Sequence, residues 1–131
     1  MKNKKGFTIV ELVIVISVIA ILAAVLIPTF SGLVKKANSS ADQQAVRNMN
    51  TILAMEEVEK ELSIADVHLA LNRAGMSSQS YRPLTDGTSF YWITKLNRVV
   101  LVDEETKNII YPENMSEMIT YNEEEWIPLN L

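Results

Sequence analysis

A long apolar run lies near the start of the chain, from residue 7 to residue 30, and Glu11 is its one ionisable side chain. As a helix, these 24 residues span about 36 Å, which exceeds the ~30 Å hydrocarbon core of a bilayer. A secretory signal has a shorter apolar region with its cleavage site after it, whereas here Gly6 precedes the run. The pattern therefore predicts a transmembrane helix that stays on the mature protein.

Apolar positions at helical spacing continue beyond this segment, from residue 41 to residue 62. They are Ala45, Met49, Ile52, Leu53 and Leu62. The pattern predicts one long helix from Thr8 to Leu62, whose rear half packs on a globular domain.

Pro28 interrupts the hydrogen bonding of this predicted helix, because proline has no backbone N–H to donate to the carbonyl of Ala24. Gly32 follows about one turn later. We expect a kink or local melting of the helix between Pro28 and Gly32.

A second, shorter helix is predicted after Leu62. Ser63 has the side chain of an N-cap, and Asp66 stands three residues later, where it can complete a capping box. Gly75 follows Ala74 as a stop signal. Residues 76–87 are rich in serine and end in Asp-Gly, which predicts a loop closed by a turn.

Three short apolar segments with strand-like composition follow, separated by connections short enough for hairpins. They are residues 89–94, 98–102 and 108–111. We expect an antiparallel meander whose apolar face covers the helix, and hence an α+β fold: a long hydrophobic amino-terminal helix packed on a small antiparallel sheet. The tail can pack on the sheet or contact a neighbouring subunit, and the sequence leaves both open for Trp126, Ile127, Leu129 and Leu131.

The composition of the chain excludes some kinds of site and disfavours some partners. The chain has no cysteine, so its globular part is held without disulfides or thiolate metal ligands. Residues 37–131 carry 15 acidic and 7 basic side chains, a balance of −8, which disfavours binding of nucleic acid by the whole domain.

Other candidate chemistry is weak. The only histidine, His68, has no partner motif for catalysis or metal binding and is expected at the surface or in helix packing. The aromatic triplet 90–92 is expected in the core, and the acidic residues 103–105 lack calcium-loop spacing and are expected in a solvated turn. We predict no metal, no cofactor and no enzymatic activity.

A chain that needed only a membrane anchor would have no use for Glu11, because an ionised side chain in hydrocarbon costs roughly 3 kcal/mol. A positive charge inside the membrane would balance it. A new amino terminus at Phe7 is the most economical source.

The segment around Glu11 closely resembles the amino-terminal module of type IV prepilins and pseudopilins. The resemblance covers about residues 1–36 and rests on a basic leader, an apolar helix with Pro28, and the motif Gly6-Phe7-Thr8-Ile9-Val10-Glu11-Leu12. Ala20 departs from the family pattern, in which many members have glycine, but both residues are small.

The resemblance implies a leader at residues 1–6, a transmembrane and filament-core helix at 7–36, and a globular pilin-like domain at 37–131. It implies that a prepilin peptidase cuts between Gly6 and Phe7 and methylates the amine of Phe7. It also implies that Glu11 pairs with the amino terminus of a neighbouring subunit, and that residues 28–32 can unwind in filaments.

The implied function is a structural subunit of a type IV pilus or of a type II secretion or competence filament. Its expected partners are the peptidase, other pilin subunits, membrane lipid and the assembly platform in the cytoplasmic membrane. The lysines before residue 6 favour a cytoplasmic amino terminus and an outside carboxy terminus, although Lys35 and Lys36 oppose this. The alternative is a single-span anchor presenting an extracellular binding or sensing domain.

Overall fold

A computed structural model describes residues 4–56, 61–115 and 119–130. The chain divides into two compact units, Met1–Lys36 and Ala37–Leu131. In chain order its helices and strands are α1 (Ile9–Met55), α2 (Ile64–Arg73), β1 (Thr88–Ile93), β2 (Arg98–Asp103), β3 (Ile109–Tyr111) and β4 (Trp126–Pro128). The long apolar helix and the small antiparallel sheet confirm the predicted α+β, pilin-like arrangement.

Helix α1 passes through Pro28 and Gly32 without a break. The local melting expected between these residues is therefore absent from the isolated chain, because the missing proline N–H removes only one hydrogen bond of the helix. A bend at Pro28 stays a prediction.

The end of α1 corrects the predicted boundary, since the helix stops at Met55 and not at Leu62. The backbone N–H of Glu56 donates to the carbonyl of Leu53 at 3.2 Å, which tightens the last turn. Leu62 is held by other bonds: its N–H donates to Asn97 Oδ1 at 3.1 Å, and its carbonyl accepts from Trp92 Nε1 at 3.3 Å. These bonds to residues distant in sequence hold Leu62 outside the helix, although its spacing fits the helical pattern.

Helix α2 begins and ends where its predicted signals stand. The backbone N–H of Ser63 donates to Asp66 Oδ2 at 3.1 Å, and the N–H of Asp66 donates to Ser63 Oγ at 3.3 Å, so the capping box is formed. Ala74 is the C-cap, and Gly75 follows with φ +89°, a backbone conformation that glycine adopts without strain.

The sheet has the order β3-β2-β1-β4, and every neighbouring pair is antiparallel. The meander of the first three strands was predicted; β4 was not. It pairs with β1 through Tyr91–Pro128, Trp92–Ile127 and Ile93–Trp126. The tail therefore packs on the sheet through buried Trp126 and Leu129, while Leu131 lies outside the described residues.

Both faces of the central strands are buried, which explains why their sequences are apolar without alternation. Phe90 and Trp92 pack with residues of the rear half of α1 and of α2, whereas Tyr91 and Ile93 pack on the opposite face with Trp126. The aromatic triplet 90–92 is thus core, as predicted.

Two polar side chains of α1 join the helix to the rest of the second unit. Asn50 donates from Nδ2 to the carbonyl of Val99 at 2.9 Å and accepts the N–H of Val99 at 2.7 Å, as a neighbouring strand would. The buried carboxylate of Asp42 accepts the N–H groups of Leu84 and Thr85 at 2.7 and 2.9 Å.

Candidate processing and assembly site

The expected cleavage segment is exposed and irregular. Residues 4–8 precede α1 without helical or strand structure, and Phe7 is 94% exposed. A Cβ at Gly6 would meet no atom within 4 Å, so the fold itself does not require glycine there. A requirement for glycine at this position would therefore come from a molecule that binds the segment.

Thr8 and Glu11 form a capping box at the start of α1. The N–H of Thr8 donates to Glu11 Oε2 at 2.9 Å, and the N–H of Glu11 donates to Thr8 Oγ1 at 3.2 Å. The box satisfies two N–H groups at the helix start, where the macrodipole also favours a carboxylate. Glu11 is thus oriented toward the segment that holds the Gly6–Phe7 bond.

The capping box uses only atoms that would survive cleavage between Gly6 and Phe7. The N–H of Thr8 belongs to the Phe7–Thr8 peptide bond, which stays intact. The N–H of Thr8 donates its hydrogen bond to Oε2 of Glu11, which leaves Oε1 to accept a hydrogen bond from an ammonium group. The geometry allows Glu11 to cap its own helix and bind a cation at the same time.

The front part of α1 has a surface suited to lipid or to other apolar helices. Its large apolar side chains are exposed, and the helix is long and apolar enough to cross a membrane. The hydroxyls of Ser17 and Thr29 donate to the carbonyls of Val13 and Val25 at 2.7 and 3.0 Å. Their polar groups are therefore satisfied within the helix, as hydrocarbon requires.

The weaker candidates belong to the second unit. Within residues 4–56, 61–115 and 119–130, no group of three or more His, Asp and Glu side chains could hold a metal ion. His68 is half-buried and packs on Tyr81. Asp103 Oδ1 accepts the N–H groups of Glu105 and Thr106 at 3.0 and 2.8 Å, which orders the acidic turn.

Gly6, Phe7 and Glu11 come together at the start of α1, whereas Pro28 and Gly32 lie further along the same helix. Sequence reasoning missed Thr8 as the cap, although its spacing to Glu11 is the Thr-x-x-Glu signature of a capping box.

Comparisons with known proteins agree with this geometry. Residues 1–27 match the family model described as the prokaryotic N-terminal methylation motif. The chain is also 60% identical over 40 residues to the type IV wide pilus major component PilA4 of Thermus thermophilus, a match that covers 30% of each chain. No solved structure matches the chain significantly.

These findings define the chain first as a protein with an amino-terminal methylation motif on a long apolar helix, followed by a small α+β unit. Through that motif and its pilin relative, it is similar to type IV prepilins at its amino-terminal end. The similarity to PilA4 spans less than a third of either protein, and the second unit, residues 37–131, lies largely beyond the two matches.

Proposed function

We propose that this chain is a structural subunit of a type IV pilus or of a related secretion or competence filament. The observation that carries the proposal is the exposed Gly6–Phe7 bond, directly before a capped apolar helix whose third residue is Glu11. The methylation motif over residues 1–27 and the pilin relative support it. We assign the chain a structural and not an enzymatic role.

Processing begins with a prepilin peptidase, which hydrolyses the Gly6–Phe7 peptide bond and transfers a methyl group from a methyl-donor cosubstrate to the new amine. A methylated secondary amine still binds a proton, so Phe7 then carries a positive charge near the membrane interface. Before processing, the same nitrogen is a neutral amide. Cleavage therefore creates the cation that Glu11 lacks in the precursor.

Assembly follows when the Phe7 ammonium of one subunit binds Glu11 of the next. Removing one partner of a buried ion pair leaves a stranded charge and costs several kcal/mol, so the pair sets the register between subunits. Because the two surfaces differ, repetition gives an open helical fibre unless the rotation closes a ring. The exposed apolar side chains of residues 9–34 become the fibre core.

The precursor is stored in the cytoplasmic membrane with its amino terminus inside and residues 37–131 outside. Lys4 and Lys5 favour this orientation. Its partners are the peptidase, other pilin subunits, membrane lipid and the assembly platform.

The proposal is tested in the native host by mass spectrometry of the mature chain and by isolation of surface filaments. We expect a chain that begins with N-methylated Phe7 in the parent protein. In Gly6→Ala we expect the leader to be retained. In Glu11→Ala we expect cleavage and membrane insertion to be normal and filament incorporation to be lost.

Glu105→Ala is the matched control, because it removes an exposed carboxylate from a turn of the second unit. It should assemble like the parent. A mature chain that starts at Met1, or full incorporation of Glu11→Ala, would contradict the proposal and favour the single-span anchor. The abundance of the chain in sheared surface fibres then distinguishes a major from a minor subunit.

A further inference from the structure

A polar pocket of about 540 Å³ lies in the second unit. Helix α2, the turn Ser78–Tyr81 and the end of the carboxy-terminal segment surround it. The lining residues that matter here are His68, Asn72, Gln79, Tyr81, Arg82 and Leu129. The volume is in the range of small-molecule sites, roughly 300–1,000 Å³.

One wall of the pocket is held in place by side-chain contacts. The rings of His68 and Tyr81 stack with centroids 5.2 Å apart and an angle of 24° between planes. His68 Nε2 lies 3.0 Å from the carbonyl oxygen of Leu129, and because a carbonyl only accepts, this nitrogen is the donor. The hydroxyl of Tyr81 donates to Asn72 Oδ1 at 2.8 Å, and burial raises the pKa of this phenol.

The remaining polar groups are mostly donors. Tyr81 occupies Oδ1 of Asn72, which leaves the two N–H donors of that amide for a ligand. The exposed side chains of Gln79 and Arg82 make no hydrogen bond or ion pair with the part of the chain that the structure describes. None of the described lining residues is acidic, although residues 37–131 carry a balance of −8. The pocket is thus a local exception in an acidic unit.

The geometry points to a binding site for a carboxylated sugar of the size of a single hexuronate ring. The planar guanidinium of Arg82 matches a carboxylate in bidentate geometry. The amides of Asn72 and Gln79 can bond the ring hydroxyls, and the half-buried ring of His68 offers apolar atoms to the C–H face of the sugar. A bare anion would leave most of the 540 Å³ to water.

The inference is independent of filament assembly and is tested on the full chain in detergent micelles. Saturation-transfer NMR is recorded with D-glucuronate, D-glucose and acetate as separate probes, with empty micelles as the blank. We expect millimolar binding of glucuronate, and weaker binding of both glucose and acetate. Arg82→Gln should weaken glucuronate binding about tenfold, the loss of a charge-assisted bidentate contact.

Arg73→Gln is the matched control, because Arg73 is an exposed arginine in the last turn of α2 and outside the pocket lining. It should bind glucuronate like the parent. Three results would each overturn the inference: no saturation transfer to glucuronate, equal affinity for glucose or acetate, or equal losses in Arg82→Gln and Arg73→Gln. Amide spectra of both variants verify that the fold is retained.

Discussion

At the residue scale, Lys107 is one of the side chains that connect the carboxy-terminal segment to the sheet. Its Nζ lies 5.6 Å from the ring centroid of Tyr91 and 5.7 Å from that of Tyr121. It also donates to the carboxylate of Glu104 and to the hydroxyl of Tyr91. Tyr121 in turn meets Trp126 edge to face, with centroids 5.2 Å apart. In this chain without cysteine, a cation between aromatic rings thus adds to the strand pairing that holds the tail.

We predict that Lys107→Met and Tyr121→Leu are coupled. A cation–π contact at a partly exposed site contributes about 0.5–1 kcal/mol, and a double-mutant cycle isolates it. Hydrogen exchange of the Leu129 amide, which donates to the carbonyl of Phe90 at 2.9 Å, reports opening of the tail. Each single variant should lower its protection severalfold, and the double variant should do little more. Strictly additive losses would show that Lys107 and Tyr121 act separately.

The acidic turn gives a prediction on pH. The N–H and hydroxyl of Thr106 lower the pKa of Asp103, and the hydrogen bond from Lys107 lowers the pKa of Glu104. A carboxyl whose folded pKa is lowered adds stability above its unfolded pKa, about 3.9 for Asp and 4.3 for Glu, and loses it as the pH falls further. The turn should therefore be stable at neutral pH and weaken below about pH 4.

Carbon-13 NMR titration of the two carboxyl groups checks this prediction directly. Both should titrate below their ordinary values in the parent chain. Thr106→Val should raise the pKa of Asp103 and leave that of Glu104 in place, whereas Lys107→Met should act mainly on Glu104. Ordinary pKa values in the parent would mean that these hydrogen bonds do not persist in solution.

At the element scale, the side chain of Asn50 bonds the edge of β2 in the way that a neighbouring strand would. β3 pairs with β2 at Leu101 and Val102, and the two bonds of Asn50 satisfy the backbone of Val99 further along the same edge. A helix side chain therefore both closes the sheet edge and sets the distance between α1 and β2.

We predict that Asn50→Leu destabilises the second unit by about 2 kcal/mol, because the N–H and carbonyl of Val99 both lose their partner. Gln44→Ala is the control: it removes a hydrogen bond to Asn48 on the exposed side of the same helix, which contributes less than about 0.5 kcal/mol. Urea unfolding of the full chain in micelles, followed by tryptophan fluorescence, measures both. Equal midpoints for the two variants would refute this role of Asn50.

The same elements show which parts of the fold were readable from sequence. The start and end of α2 follow from Ser63, Asp66 and Gly75, which act on their own neighbours, and both were predicted. Strand β4 has three residues including a proline, and its pairing partner β1 lies more than thirty residues earlier, so no local pattern marks it. The end of α1 was wrong for the same reason, since Asn97 and Trp92 hold Leu62 from a distance.

At the scale of the whole molecule, the two units differ in how much of their candidate sites could be predicted from the sequence. The candidate processing segment is contiguous, so Gly6, Phe7 and Glu11 could be predicted from its resemblance to prepilins and from the charge of Glu11 in the apolar run, with only the cap at Thr8 overlooked. The pocket in the second unit is assembled from α2, a turn and the tail. Its lining comes together only after these three segments have folded against one another.

The length of α1 leads to the last prediction, on Pro28. An interior proline costs a helix about 3 kcal/mol relative to alanine, and Gly32 adds about 1 kcal/mol. A Cβ at Gly32 would meet no atom within 4 Å, so packing in the isolated chain does not require glycine. We infer that the two residues keep this stretch of α1 easy to unwind when subunits are pulled along a filament.

Pro28→Ala restores an N–H for the carbonyl of Ala24 and should strengthen the helix there by about 3 kcal/mol. Filaments of this variant should extend less under a given force in optical-tweezer measurements, and cryo-electron microscopy should show more helix between residues 24 and 32. Thr29→Ala, which only removes a side-chain bond to the carbonyl of Val25, should extend like the parent. If Pro28→Ala filaments stretch as far as parent filaments, unwinding at Pro28 does not set their extension.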